Sequence, residues 1–274
     1  MVESSVVGVL SAGVLVEGGN VGYSEIEVDV HPDHRSGDVE RALIAGALPW
    51  MRSQGASTVA WWPHDEVSNA VAAGIGLTFR QEERCSRLQV ADVEEAQQRE
   101  WLAAPRARSA GYRIEVWAGA CPDHLAPALA EARSAMADAP LDDIDFEPEP
   151  YTVDRLRESE RIRAGVGEQT YVALAVDDSG SAAGMSAIVV RPDRSQIGHQ
   201  EDTAVVAAHR GHALGRWLKA ANLRQVREAI PDMRAVETYN AESNPWMLSI
   251  NVEMGFRPYR SYSAYQGDID AIRV

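Results

Sequence analysis

The sequence predicts an α/β protein in which one order of strands and helices occurs twice. Segments with alternating apolar residues, typical of strands, are followed by longer segments with the apolar spacing of helices. A turn joins a strand to a helix in each half of the chain. A Gly-apolar pair, Gly76-Leu77 or Gly255-Phe256, then introduces the closing strand of each half. We therefore predict two domains of related topology, each with a sheet flanked by helices.

The first predicted domain, residues 1–95, begins with a hairpin whose turn is Gly18-Gly19-Asn20. Residues 31–41 then lead into an amphipathic helix that ends near Ser53. The other predicted elements of this domain are strands at 6–17, 22–30, 58–62 and 76–90 and a helix at 66–74.

Residues 96–110 separate the two predicted domains. The segment 91–110 is polar and charged and has few β-branched residues, so it predicts a linker or helix with a boundary near Pro105.

Trp217 and Trp246 fall at helical spacings that indicate packing. The second domain, residues 111–274, is predicted to contain strands at 112–117, 169–177, 182–191, 202–207 and 237–240 and helices at 122–136, 152–165 and 244–251.

The segment Arg210-Gly211-His212-Ala213-Leu214-Gly215 joins a strand to a helix and has the clearest chemical signature in the chain. Gly211, Ala213 and Gly215 leave room for backbone N–H groups at the start of the helix to point at an anion. A diphosphate suits such a nest of donors, and Arg210 adds a positive charge beside it. A plain strand-to-helix turn is the alternative, because many such turns contain glycine.

A second motif follows this turn. Glu237-Thr238-Tyr239-Asn240 ends a strand, and a helix from Asn244 to Asn251 leads to Met254-Gly255-Phe256. The order of the two motifs over residues 111–267 resembles the GCN5-related N-acetyltransferases (GNAT). The resemblance implies mixed, mostly antiparallel sheets, acetyl-CoA (coenzyme A) as cofactor, and a turn that holds its pyrophosphate. It implies cofactor contacts at Val205, Val206, Arg210, Gly211, His212, Ala213, Leu214, Gly215, Arg216, Asn240, Asn244 and Met247.

The first domain repeats this order, so the chain resembles tandem GNAT proteins, an arrangement also found in mycothiol synthase. Ser36, Asp38 and Glu40 stand where the second domain has Gly211, Ala213 and Gly215. Carboxylates there repel a diphosphate, and their side chains crowd the nest. The first domain is also too short for a leading strand and two helices. We predict that it is truncated and degenerate, with a structural role.

Acetyl transfer requires a base for the acceptor amine and donors for the thioester carbonyl. The resemblance implies that the backbone N–H groups of Val205 and Val206 polarise the carbonyl. His199 stands where several GNAT enzymes have a catalytic glutamate, and its ordinary pKa suits a base at neutral pH. Glu201 shares its strand face by alternation, whereas Asp202 points the other way. His199 or Glu201, directly or through a water, is the predicted base; a histidine without a catalytic role is the alternative.

The CoA thiolate that leaves during acetyl transfer must also be stabilised or protonated by a nearby group. Many GNAT enzymes have a tyrosine four residues before the Gly-Phe pair, and this chain has Asn251 there. An amide donates a hydrogen bond to a thiolate but delivers no proton at neutral pH. Asn251 therefore stabilises the thiolate while water protonates it, or another group such as Tyr259 serves.

Charge and cysteine content indicate which classes of ligand and partner suit the chain. The formal net charge of −15 argues against a nucleic-acid or anionic-membrane surface, which requires many basic side chains. The loop at 138–149 has six carboxylates, which favours a cationic amine unless the loop is merely solvated. Cys85 and Cys121 are too few for a disulfide framework, and no metal site is suggested. The N-terminal stretch lacks the features of a signal peptide, so we expect a cytoplasmic protein.

These observations predict an acetyl-CoA-dependent N-acetyltransferase that acts on a primary amine of a small molecule, which the acidic loop suggests is cationic. It is expected to be a monomer or homodimer. One alternative is a catalytically silent sensor or carrier that binds CoA or an amine. Another is an enzyme similar to mycothiol synthase, with a cysteinylated amino-sugar as acceptor.

Overall fold

The computed structural model describes residues 5–103, 108–138 and 142–274. The predicted boundary at Pro105 lies outside these residues, and so do residues 139–141 of the acidic loop. The first half contains β1 (Gly8–Val14), β2 (Tyr23–Val30), α1 (Asp38–Ser53), β3 (Thr58–Trp61), α2 (Glu66–Gly74) and β4 (Thr78–Gln89), followed by α3 (Glu95–Ala103). The second half contains β5 (Tyr112–Ala118), α4 (Ala126–Ser134), α5 (Val153–Gly165), β6 (Gln169–Asp177), β7 (Ala182–Val190), β8 (Ile197–Val205), α6 (Leu214–Ala229), β9 (Ala235–Ala241), α7 (Pro245–Glu253) and β10 (Arg257–Asp268).

The described strands form one mixed sheet, in the order β1-β2-β3-β10-β4-β9-β8-β7-β6-β5. The pairs β2–β3 and β8–β9 are parallel, and the other pairs are antiparallel. The two halves exchange their last strands. β10 pairs with β3 of the first half, while β4 pairs with β9 of the second. Each half therefore completes the sheet of the other.

The order of elements occurs twice, as predicted. The series β1-β2-α1-β3-α2-β4 corresponds to β7-β8-α6-β9-α7-β10, with the parallel pair in the same place. The β8–β9 ladder ends at Gln200 and Thr238, although β8 continues to Val205 and β9 to Ala241. The two strands thus separate toward their carboxyl ends and leave an opening between them.

Helices cover both faces of the sheet in the second half. α4 and α5 pack through Leu129 and Leu156 on one face, against a cluster that includes Leu174. α6 packs on the other face, where Leu214 and Leu218 meet a row of alanines. Full burial of a leucine side chain contributes roughly 1.5–3 kcal/mol. This packing fixes the amino end of α6 beside the opening between β8 and β9.

The described part of the acidic loop is anchored to β10 and to the first hairpin. The Asp145 N–H donates to Gln266 Oε1 at 2.8 Å, and the Gln266 amide donates back to the Asp145 carbonyl at 2.9 Å. Glu147 and Asn20 form a similar reciprocal pair, at 2.8 and 2.7 Å. The backbone at residues 145 and 147 is therefore held in place rather than freely solvated. Within the described ranges, no helix has the length and apolar character needed to cross a membrane.

Candidate active site

A cleft of about 1950 Å³ lies where β8 and β9 separate, bordered by the amino ends of α6 and α7. It brings together most of the predicted site residues: His199, Glu201, Val205, Arg210, Gly211, Ala213, Leu214, Gly215, Asn240, Asn244 and Met247. Four others, Val206, His212, Arg216 and Asn251, are not among the residues that line it.

The turn before α6 has an unusual backbone. Gly211 has φ 86° and Ala213 has φ 57°, so both lie in the left-handed region. Glycine adopts this conformation freely, whereas for alanine it costs about 1–2 kcal/mol. Ala213 is also the N-cap of α6 and offers no side-chain cap. The first N–H groups of the helix consequently lack a side-chain acceptor at the edge of the cleft.

The corresponding turn of the first half differs at the same point. Only Gly37 is left-handed there, with φ 86°. Glu40 corresponds to Gly215 and is 1% exposed, and its carboxylate accepts the Gly37 N–H at 2.9 Å. A carboxylate of the chain itself thus occupies the amino end of α1, which in α6 is open.

Two residues predicted to contact the cofactor, Val206 and Arg210, are bonded to other parts of the chain. The Val206 N–H donates to the Ala183 carbonyl on β7 at 3.0 Å, so the prediction that it faces a ligand is wrong. Successive N–H groups of a strand point in opposite directions, so the N–H of Val205 is directed away from β7 and into the opening. Arg210 forms an ion pair with Asp138, and its Nε donates to the Val205 carbonyl at 3.2 Å.

The side chains of His212 and Arg216 lie outside the cleft lining. His212 Nδ1 is 3.0 Å from the Arg108 carbonyl, and this contact helps to anchor the turn. Arg216 donates to Glu253 at 2.9 Å, which links α6 to α7. Asn244 caps α7 through a hydrogen bond from the Met247 N–H at 3.2 Å. These three side chains therefore support the walls of the cleft.

His199 lies at the closed end of the opening, where β8 still pairs with β9. It is half-buried, and burial is the main reason that its pKa is lowered, partly opposed by nearby Glu237. The imidazole is therefore neutral at pH 7 and can accept a proton. The carboxylates nearest to it along β8 and β9, those of Glu201, Asp202 and Glu237, each pair with an arginine.

The alternation predicted for Glu201 and Asp202 is broken. The β7–β8 register shifts between Ser186 and Ile188, so both acidic residues stand opposite Ala187. Glu201 pairs with Arg163 of α5 at 2.9 Å, and Asp202 pairs with Arg133 of α4 at 2.8 Å. Asp202 thus faces the same helical layer as Glu201, contrary to the prediction, because a β-bulge places two successive side chains on one face.

Lys219 also belongs to this candidate site, although its sequence pattern did not single it out. It lines the cleft and is only 1% exposed, and its Nζ donates to Asn251 Oδ1 at 2.6 Å. Asn251 Nδ2 in turn donates to Asn240 Oδ1 at 2.7 Å. Burial lowers the pKa of Lys219 to about 7. The sequence did contain a signal for this residue. Lys219 is the chain's only lysine, and it lies four residues after Gly215 on the same face of the helix.

Two aromatic residues also differ from expectation. Tyr259, the alternative proton donor, does not line the cleft, and the Arg87 guanidinium lies 3.5 Å from its ring centroid. Trp246 was expected to pack, but it is 84% exposed at the rim of the cleft. A helix of two and a half turns gives little information by itself about which of its faces is covered.

Solved structures share this fold. A tandem GNAT protein from the clavulanic acid biosynthesis pathway is 26% identical, with a TM-score of 0.72 over 97% of this chain and 85% of that one. GCN5-related N-acetyltransferases from Sphaerobacter thermophilus and Kribbella flavida have TM-scores of 0.64 and 0.56 at 18% and 14% identity. These two matches cover 95% and 96% of this chain and 76% and 88% of the others. No protein-family model and no curated protein matches the chain.

The chain therefore has the fold of the GCN5-related N-acetyltransferases. Its two halves show the tandem form of that fold, as the sequence resemblance implied. The similarity supports an acyltransferase-type function.

Proposed function

We propose that the chain is an acetyl-CoA-dependent N-acetyltransferase with a single active site in the cleft of the second half. The observation that carries this proposal is the open amino end of α6. Two left-handed residues and an uncapped helix start, beside Arg210, form a donor set that fits a diphosphate. In the first half Glu40 fills the equivalent position, which supports a structural role for that half.

The residues of the cleft fit the requirements of acetyl transfer. Acetyl-CoA, when bound, supplies a thioester whose carbonyl carbon is open to attack by an amine. The Val205 N–H, directed into the opening, donates to the carbonyl oxygen as negative charge develops on it. His199, neutral at pH 7, accepts the proton of the amine directly or through a water. Glu201 is less suited to this task, because its carboxylate is already engaged in an ion pair with Arg163 at 2.9 Å.

The test of this proposal is a calorimetric titration with acetyl-CoA and with CoA. We expect one site per chain. Absence of binding at millimolar ligand would overturn the proposal, because the turn at 210–215 would then be only a turn. Binding without CoA release from any amine would instead favour the silent sensor or carrier, a reading supported by the amide at Asn251.

The acceptor is proposed to be cationic, as the acidic loop suggested. Glu25 on β2 lines the cleft, and Glu83 on β4 lies close enough to interact with it. Burial raises the pKa of both carboxyl groups, and the charge of Glu25 contributes to the effect on Glu83. Among the described residues, neither has an ion-pair partner within 4.0 Å. A bound ammonium would supply the missing positive charge.

Replacing both Glu25 and Glu83 with glutamine should raise the KM for diamines and triamines by roughly tenfold while kcat changes little. The cause is the loss of charge pairing with the acceptor, so the dependence of KM on salt should also weaken. Steady-state CoA release with a panel of amines measures both effects. Glu82→Gln, an exposed neighbour on β4, is the matched control. An unchanged KM in the double variant would remove the case for a cationic acceptor.

A further inference from the structure

Lys219 occupies a position that is otherwise typical of a hydrophobic core. Aligning the two halves places Ile44, 1% exposed, at the equivalent point of α1, and Ala72 at the point equivalent to Asn251. The second half thus replaces two apolar core residues with a lysine and an amide that bond to each other at 2.6 Å. Packing alone does not require this exchange, because the first half closes the same space with aliphatic side chains.

The surroundings of Lys219 provide almost nothing to balance its charge. Besides Asn251, Nζ is 3.8 Å from Met247 Sδ and 5.3 Å from the centroid of the Phe256 ring. No carboxylate of the described residues lies within 4.0 Å of Nζ. Arg216, one turn before Lys219 on α6, and Glu253, the one charged residue of α7, pair with each other. A buried ammonium without an anion is costly, so an anion brought by a ligand would be strongly favoured.

The hydrogen bonds also fix the orientation of Asn251. Lys219 has only donors, so the atom of Asn251 that it contacts must be the oxygen. The amide nitrogen then points to Asn240 Oδ1, at 2.7 Å, and Asn240 lines the cleft. Lysine and amide together therefore direct N–H groups toward the wall of the cleft formed by α7 and β9.

We propose that Lys219, with the Asn251 amide that it orients, neutralises and protonates the thiolate that leaves when the acetyl group is transferred. This inference rests on the proposed acetyltransferase function. As the amine nitrogen bonds to the carbonyl carbon, the carbon–sulfur bond breaks and its electron pair stays on sulfur. The Lys219 ammonium gives one proton to the sulfur and takes one back from solvent after the products leave. The proton released by the amine goes to His199 or to water.

Because the chain has one lysine, the proposal can be tested on the unmodified protein. Lysine labelled with ¹³C at Cε gives a single NMR signal whose shift reports the charge of Lys219. We expect its titration midpoint to rise by at least about one pH unit with CoA bound, since a neighbouring anion favours the charged form. Desulfo-CoA, which lacks the thiol, should leave the midpoint as it is in the free protein.

The outcomes separate this inference from the proposed function. If CoA binds and shifts the midpoint no more than desulfo-CoA does, the inference is overturned while the acetyltransferase proposal stands. If neither ligand binds, the proposed function fails, and the inference with it.

Two variants give an independent readout. The ultraviolet absorbance of the thiolate, with the desulfo-CoA complex as blank, gives the pKa of bound CoA. We expect it at least about one unit below that of free CoA in the native protein. Lys219→Met removes the ammonium, and Asn251→Asp neutralises it without a change of volume, so either should abolish the shift. An unaltered thiol pKa in both variants would contradict the proposal. The buried thiols Cys85 and Cys121 have raised pKa values and do not interfere at moderate pH.

Discussion

Replacing Gly211 with glutamate should lower the affinity for acetyl-CoA by at least about 100-fold. Gly211 has φ 86°, and a residue with a side chain costs about 1–2 kcal/mol in this region. A carboxylate about 4 Å from a diphosphate oxygen adds a repulsion of roughly 4 kcal/mol at the surface of a protein. The strain acts on the fold with and without ligand, whereas the repulsion acts on binding. Since about 1.4 kcal/mol corresponds to a factor of ten in affinity, the repulsion alone exceeds a 100-fold loss. Calorimetric titration measures the loss directly.

Two further variants distinguish backbone strain at position 211 from the added charge, and the turn of the second half from that of the first. Gly211→Ala keeps only the backbone strain, which the turn bears with and without ligand, and should therefore lower the melting temperature but reduce the affinity by less than about tenfold. Asp38→Ala, which changes the corresponding turn of the first half, should leave the affinity unchanged. Thermal melting of each variant shows whether the fold is retained. Equal losses from Gly211→Glu and Asp38→Ala would contradict the single-site proposal.

The elements of the fold were largely predictable because each has a local signature. The hairpin turn at 18–20 and the Gly-Phe pair at 255–256 depend on neighbouring residues alone, and apolar spacing indicates most helices and strands. Bounds were less predictable, since the strand expected at 202–207 is β8, which runs from Ile197 to Val205. The exchange of β4 and β10 has no local signature. It depends on pairing between residues such as Trp61 and Tyr265, which are far apart in the chain. The single continuous sheet therefore emerged only from the structure.

The site was predictable where backbone chemistry defines it and less so where side chains do. Small residues at 211, 213 and 215 identified the open helix start, and that prediction depends only on local geometry. The orientation of Asp202 depends on a bulge opposite Ala187, which simple alternation does not anticipate. Lys219 was missed because an amphipathic helix with a lysine near its apolar face usually presents that lysine to solvent. Its burial results from α7 and Phe256, which are contributed by later segments.

The burial of Lys219 lowers the stability of the folded chain while the lysine is charged. Lys219→Met should make the protein more stable than the native chain at pH 6, and the advantage should shrink as pH rises above 7. In the folded chain the pKa of Lys219 is lowered to about 7 by burial, whereas an unfolded lysine titrates near 10.4. Between these values the unfolded native chain holds one more proton than the folded chain. Its stability relative to the variant therefore rises by about 1.4 kcal/mol per pH unit.

Urea denaturation of the native chain and the variant at pH 6, 8 and 9.5 measures this difference. Arg224→Met is the matched control, because Arg224 lies on the same helix and pairs with Glu228 in an exposed position. Its effect should be small and independent of pH in this range. A Lys219→Met difference that does not change with pH, or a variant less stable than the native chain at pH 6, would contradict the prediction. A variant that is more stable at neutral pH but no longer lowers the pKa of bound CoA would show why the costly lysine is retained. The charge that destabilises the ligand-free fold would then be the charge that the departing thiolate requires.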